Sequence, residues 1–289
     1  MEPQKPTVEV GQSIIKAIPL KELLPLINWR MFFLAWKIQG KYLDTFPYDS
    51  SDEEEYKWLR NLNKENCVKA KEALGLYHTA MEMLNFISQS ESFDGCGVVR
   101  FERASSDIKN LYISDKVFPM LRQQREGSDF LSCTDFIGEN DSYIGLFAVT
   151  AGKFLFNLSK NYDKQGDTYK SLMAQTLADR IAEASAEWFQ NYVASNYFPV
   201  KIRPAWGYPM LPDQTMILET MSFLPYEKIG IKLTENGAMY PPASISGLYF
   251  SNPEAKYFMV GEIGEDQIKD YAERRGIGSE KVKDILRQI

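Results

Sequence analysis

The strongest helical pattern in the chain runs over residues 167–198. There Met173, Leu177, Ile181, Ala184, Trp188 and Tyr192 recur as an apolar stripe. Ala174, Ala178, Ala182 and Ala186 repeat every four residues along the same stretch, a smooth edge suited to close packing against another element. Asp179, Glu183 and Gln190 fall opposite the Ile181 stripe, and by spacing alone Glu183 reads as a solvated acid. The segment that follows, "KIRPAWGYPML" (201–211), has the opposite character. Pro204 and Pro209 flank Gly207-Tyr208, so the backbone is stiff, extended and unable to continue a helix. In isolation such a loop reads as a proline-rich turn around a packing tyrosine.

The first 18 residues read as an arm in which "VEVGQSIIKAI" can pair as an edge strand. "PLKELLPLINWRMFFLAWKIQGKY" (19–42) predicts a pair of short helical turns rich in aromatics. "YDSSDEEEYKW" offers serine caps and first-turn acids for a helix that is expected to continue unbroken through Ile87. Leu59, Leu62, Val68, Leu74, Tyr77, Met81 and Leu84 approximate its apolar face. "CGVVRFERASSDIKNLYI" (96–113) reads as two strands around a polar turn, and "SYIGLFAVTAG" (142–152) as a buried strand. Residues 229–264 read as a series of short strands, and the chain closes with two short helices separated by Gly276-Ile277-Gly278 and restarted by a cap at Ser279. No repeat, linker or low-complexity segment interrupts this order, which predicts a single α+β domain.

Several function classes are disfavoured. A net charge of −6 and a pI near 5.1 do not suit a nucleic-acid partner. The longest strongly apolar stretch, "MFFLAW", is far too short to cross a bilayer. Cys67, Cys96 and Cys133 are odd in number and widely spaced, as expected of a reduced cytoplasmic protein, and no metal site is predicted. The lone histidine, His78, lies within a helical pattern and has no evident catalytic partner, which disfavours Ser-His and Cys-His nucleophiles. Gly152-Lys153 fails as a phosphate loop because the preceding glycine is Gly145 and Phe154 stands where Ser or Thr is needed.

"RPAWGYP" (203–209), "KLTENGAMYPPASISGLYF" (232–250), "NPEAKYF" (252–258) and "DQIKDYAERRG" (266–276), in this order, resemble the reactivation domain of cobalamin-dependent methionine synthase. "LINWRMFFLAWKIQGKY", "LRQQ", "DFI", "YIGLFAVTAG" and "LADRIAEASAE" extend the resemblance across residues 19–289. It implies a twisted, mainly antiparallel sheet flanked by helices. It also implies a shallow groove for S-adenosylmethionine that docks over a corrin ring. In the family, one electron from a flavodoxin-type donor, together with methyl transfer from S-adenosylmethionine, restores methylcobalamin from the inactive Co(II) form.

Residue by residue, the resemblance implies that Arg203 and the backbone of Pro204 and Ala205 hold the methionine end of the cofactor, where a guanidinium suits a carboxylate. Gly207 lets the backbone approach closely, and Tyr208 stands near the methyl group and corrin face. Tyr257 and Phe258 match a cofactor-contacting pair, expected to point to opposite sides of a strand. Glu183 matches an acid near the cofactor's charged end. The sequence departs from the family at Asn28, where aspartate is usual; an amide cannot pair with an ammonium or sulfonium, so weaker binding is expected. Trp206 replaces a smaller residue, usually proline, and Gln214 a common histidine.

The D-x-H-x-x-G signature of a corrinoid-binding module does not occur, because Met81 stands where His78 would require glycine. Cobalamin is therefore expected to come through a partner: a separate cobalamin-dependent methionine synthase or its corrinoid-binding module. The alternatives are a free-standing S-adenosylmethionine-dependent methyltransferase and a non-catalytic binding module of the same fold.

Overall fold

The computed structural model describes residues 5–138 and 142–286. Its strands are β1 (Ser13–Ala17), β2 (Cys96–Ser106), β3 (Asn110–Ile113), β4 (Lys116–Pro119), β5 (Ser142–Thr150), β6 (Lys232–Leu233), β7 (Met239–Tyr240) and β8 (Ser244–Tyr249). Its α-helices are α1 (Leu20–Leu23), α2 (Trp29–Ala35), α3 (Asp52–Arg60), α4 (Lys64–Gln89), α5 (Lys153–Lys164), α6 (Thr168–Asn196), α7 (Glu265–Arg275) and α8 (Ser279–Leu286). Met1–Gln4 of the expected arm and Arg287–Ile289 of the final helix lie outside the described residues.

The long strand β2 organises an antiparallel sheet of order β4-β3-β2-β5-β8, with β1 added beside the first half of β2. Successive side chains on a strand face opposite sides, and the sheet uses both. Val99, Phe101, Phe147, Val149, Ile245 and Tyr249 join the core beneath the helices. Val98, Ile144, Leu146, Ala148, Leu248 and Phe250 join a second core built with residues of the 202–231 segment. Two buried faces explain why β5 reads as a continuous apolar run. The expected mixture of helices with an antiparallel sheet is what the chain adopts.

Helix α6 covers the first face. Met173, Leu177 and Ile181 of its stripe are buried, and so are all four alanines of its smooth edge. Gly97 on β2 marks how close it lies, since a Cβ there would meet the Phe189 ring at 2.9 Å. The start of α5 explains the false phosphate loop: Asp94 accepts hydrogen bonds from the Lys153 and Phe154 N–H groups at 3.0 Å each. A carboxylate of the chain itself thus occupies that helix N-terminus.

Two helical expectations change. The single helix expected from the acidic run to Ile87 is two, α3 and α4, because Asn63 accepts from the Asn66 N–H and caps a new start. Val68, assigned to the apolar face, is consequently exposed. The cap expected at Ser279 lies one residue earlier, since α8 begins at Ser279 and Gly278 O accepts the Val282 N–H. Among the described residues, no helix is long and apolar enough to cross a membrane.

Candidate functional site

The stiff loop docks along β8 as an additional, proline-interrupted edge. Phe250 N–H donates to Ile202 O at 3.1 Å, Leu248 N–H to Pro204 O at 3.0 Å, and Trp206 N–H to Ser246 O at 3.0 Å. Pro204 lacks an N–H, so it suits a position where only its carbonyl is used. Gly247 makes the approach possible: a Cβ there would lie 2.1 Å from Pro204 O and 2.7 Å from Ala205 Cα. The pairs Ile202–Phe250 and Ala205–Gly247 set a register that places Arg203 opposite Tyr249. Opposite residues of an antiparallel pair share a face, and for Tyr249 and Ala205 that is the α6 face.

Beyond Trp206 the chain reverses. Gly207 has φ +83°, donates its N–H to Leu211 O at 2.8 Å, and leaves Leu211 N–H to reach Tyr208 O at 2.9 Å. This turn carries Tyr208 back over α6, where its hydroxyl donates to Glu183 Oε1 at 2.6 Å. Burial and the Glu183 charge push the Tyr208 phenol well above its ordinary range, so it remains a neutral donor. From the other side Tyr257 reaches in, its hydroxyl oxygen accepting the Arg203 N–H at 2.9 Å. Val260 N–H donates to Pro209 O at 2.9 Å and holds this segment against the loop.

The result is an open groove of about 510 Å³ lined by Glu183, Arg203, Pro204, Ala205, Tyr208 and Tyr257, with Phe258 and two methionines at its edge. Tyr208 is 44% and Tyr257 59% exposed, so two aromatic rings face outward at its mouth. Among the described residues the Arg203 guanidinium has no hydrogen-bond or ion-pair partner. A free guanidinium, a carboxylate, carbonyls of a rigid loop and aromatic surfaces are together suited to a ligand with charges of both signs.

Seven residues expected at the site are therefore brought together: Glu183, Arg203, Pro204, Ala205, Tyr208, Tyr257 and Phe258. Two are not at the groove wall. Gly207 shapes the turn, and Asn28 caps α2, its Oδ1 accepting the Met31 N–H at 3.0 Å. Tyr257 and Phe258 do not lie on a strand as expected; residues 251–264 carry none. Their rings still diverge: the Tyr257 hydroxyl meets the Arg203 N–H at the groove, and Phe258 packs 6.2 Å from the Phe136 ring. Arg180, one turn before Glu183, was not among the expected site residues; its Nε is buried without a partner among the described residues. The signal available was its i, i+3 spacing to Glu183 in "DRIAE".

The family model for the activation domain of vitamin B12 dependent methionine synthase matches residues 19–276. The chain is also similar to a crystal structure of the MetH reactivation domain bound to AdoHcy. The two share 31% sequence identity with a TM-score of 0.82, over 98% of this chain and 92% of that one. This chain belongs to the vitamin B12 dependent methionine synthase activation domain family.

Proposed function

We propose that the groove binds S-adenosylmethionine, and that the protein supports reductive methylation of a corrinoid protein trapped as Co(II). The observation that carries this reading is the Arg203 guanidinium, without a partner among the described residues and set on a rigid loop beside Glu183 and Tyr208. It is joined by the AdoHcy named with the related structure. The residues present fit such a ligand. Arg203 would take the carboxylate, with Pro204 and Ala205 offering backbone groups and Glu183 a counter-charge. Bound S-adenosylmethionine supplies an electrophilic methyl group.

Because the groove is open, little affinity comes from burial, and preorganisation has to supply it. The prolines and the β8 hydrogen bonds provide that rigidity. Tyr208 and Tyr257 would border the corrin face, and the outward exposure of both rings supports this role. We propose that the cobalamin it acts on is held by a separate cobalamin-dependent methionine synthase or its corrinoid-binding module, a partner class that the family membership supports. The electron donor is of flavodoxin type, as the family resemblance implies. Three free thiols suit a cytoplasmic location.

Calorimetry with millimolar S-adenosylmethionine is expected to show weak, saturable binding. Well-folded protein that gives no binding heat at that concentration contradicts the assignment.

A further inference from the structure

Tyr249 carries a hydroxyl that the fold does not use. Its side chain is fully buried, its ring stacks on Phe147 with centroids 4.3 Å apart and planes 5° off parallel, and its Oη has no hydrogen-bond partner among the described residues. Packing asks only for the ring, which phenylalanine would supply equally well. A buried hydroxyl left unsatisfied is uncommon and calls for a physical reason.

The register supplies one. Tyr249 lies opposite Arg203 across the loop–β8 pairing, on the same face. The Arg203 guanidinium also lacks a partner among the described residues. Two groups of complementary hydrogen-bonding capacity thus face one another, both unused. The Tyr249 phenol is pushed well above its ordinary range by burial, with opposing influence from the Arg203 charge, which agrees with their proximity. Tyr249 does not line the groove and its hydroxyl is closed to solvent, so it has no direct route to a ligand.

We propose that Tyr249 is a positioning residue for Arg203: when an anionic group occupies the groove, the Tyr249 hydroxyl accepts one guanidinium N–H and fixes the plane in which the remaining N–H groups meet the anion. This rests on the binding reading above. A guanidinium held on one side by a fixed acceptor loses less freedom when it closes on a carboxylate.

The test is Tyr249→Phe, which keeps the stacked ring. Its affinity for S-adenosylmethionine should fall about tenfold by calorimetry, the lower end of what one hydrogen bond to a charged group contributes. The melting temperature should be unchanged or slightly raised. Affinity for 5′-methylthioadenosine, which lacks the amino-acid end, should not change. In an Arg203→Ala background Tyr249→Phe should cause no further loss. Equal S-adenosylmethionine affinity for wild type and Tyr249→Phe overturns the proposal. So does an equal loss for both ligands, or an additive loss in the Arg203→Ala background. Wild-type protein that binds no S-adenosylmethionine overturns the functional reading itself, and this proposal with it.

Discussion

Arg203→Ala is expected to remove most S-adenosylmethionine binding while leaving the protein folded. A hydrogen bond to a charged group contributes about 1.5–3 kcal/mol, roughly ten- to a hundredfold in affinity. The expected effect lies at the upper end, because the groove offers the carboxylate no second unpaired guanidinium on its loop wall. The fold should not notice. The Arg203 side chain is only partly buried and has no partner among the described residues, while its backbone N–H bond to Tyr257 survives the substitution. Calorimetry and a thermal melt on the same sample separate the outcomes. Retained affinity removes Arg203 from the site, and a sharp fall in melting temperature makes it a structural anchor instead.

Gly247→Ala should be the most disruptive single methyl in the site. Its Cβ would lie 2.1 Å from Pro204 O and 2.7 Å from Ala205 Cα, and both obstacles are backbone rather than yielding side-chain ends. The loop must lift from β8, weakening the Leu248–Pro204 and Trp206–Ser246 hydrogen bonds together. Overpacking costs about 1–3 kcal/mol and each of the two weakened bonds about 1 kcal/mol, so a loss of about 3–5 kcal/mol is expected. Cofactor binding should fall with it, because Arg203, Tyr208 and the groove carbonyls all ride on the displaced loop. Gly75→Ala is the control. Nothing lies within 4 Å of the added Cβ on α4, and alanine should stabilise that helix by about 0.5–1 kcal/mol. Equal melting temperatures for Gly247→Ala and wild type would show that the loop is not seated on Gly247.

The two variants probe different parts of what could be read from the sequence. Helix α6 and strand β5 were legible because an apolar stripe and a two-sided apolar run follow directly from which faces are covered. The stiffness around Arg203 was legible because proline restricts the backbone wherever it stands. Which element that loop leans on was not, because the close approach of Pro204 and Ala205 depends on Gly247, distant in sequence. The α3–α4 break was hidden since Asn63 is a helix start only once the chain turns there. Asn28 reads as a groove residue by resemblance, but its Oδ1 is spent on capping α2. Nothing in the sequence singles out Tyr249; its unused hydroxyl exists only in three dimensions. Arg180 is similar, an ordinary helix arginine until its Nε is found buried. Local patterns thus carried the scaffold and the loop's rigidity, while groups defined by a missing partner needed the fold.

The central claim concerns action on a corrinoid, so it is tested most directly by following the cobalt. A corrinoid protein in the Co(II) state is mixed in a stopped-flow instrument with S-adenosylmethionine and a one-electron donor, with and without this protein. The account predicts that the wild-type chain accelerates loss of the Co(II) absorbance. It also predicts that Tyr208→Ala, which removes an outward ring and the hydrogen bond to Glu183, slows that loss by more than its own change in cofactor affinity. No acceleration by wild-type protein that binds S-adenosylmethionine would contradict the claim and leave a binding module, and equal rates for wild type and Tyr208→Ala would take Tyr208 out of the docking face.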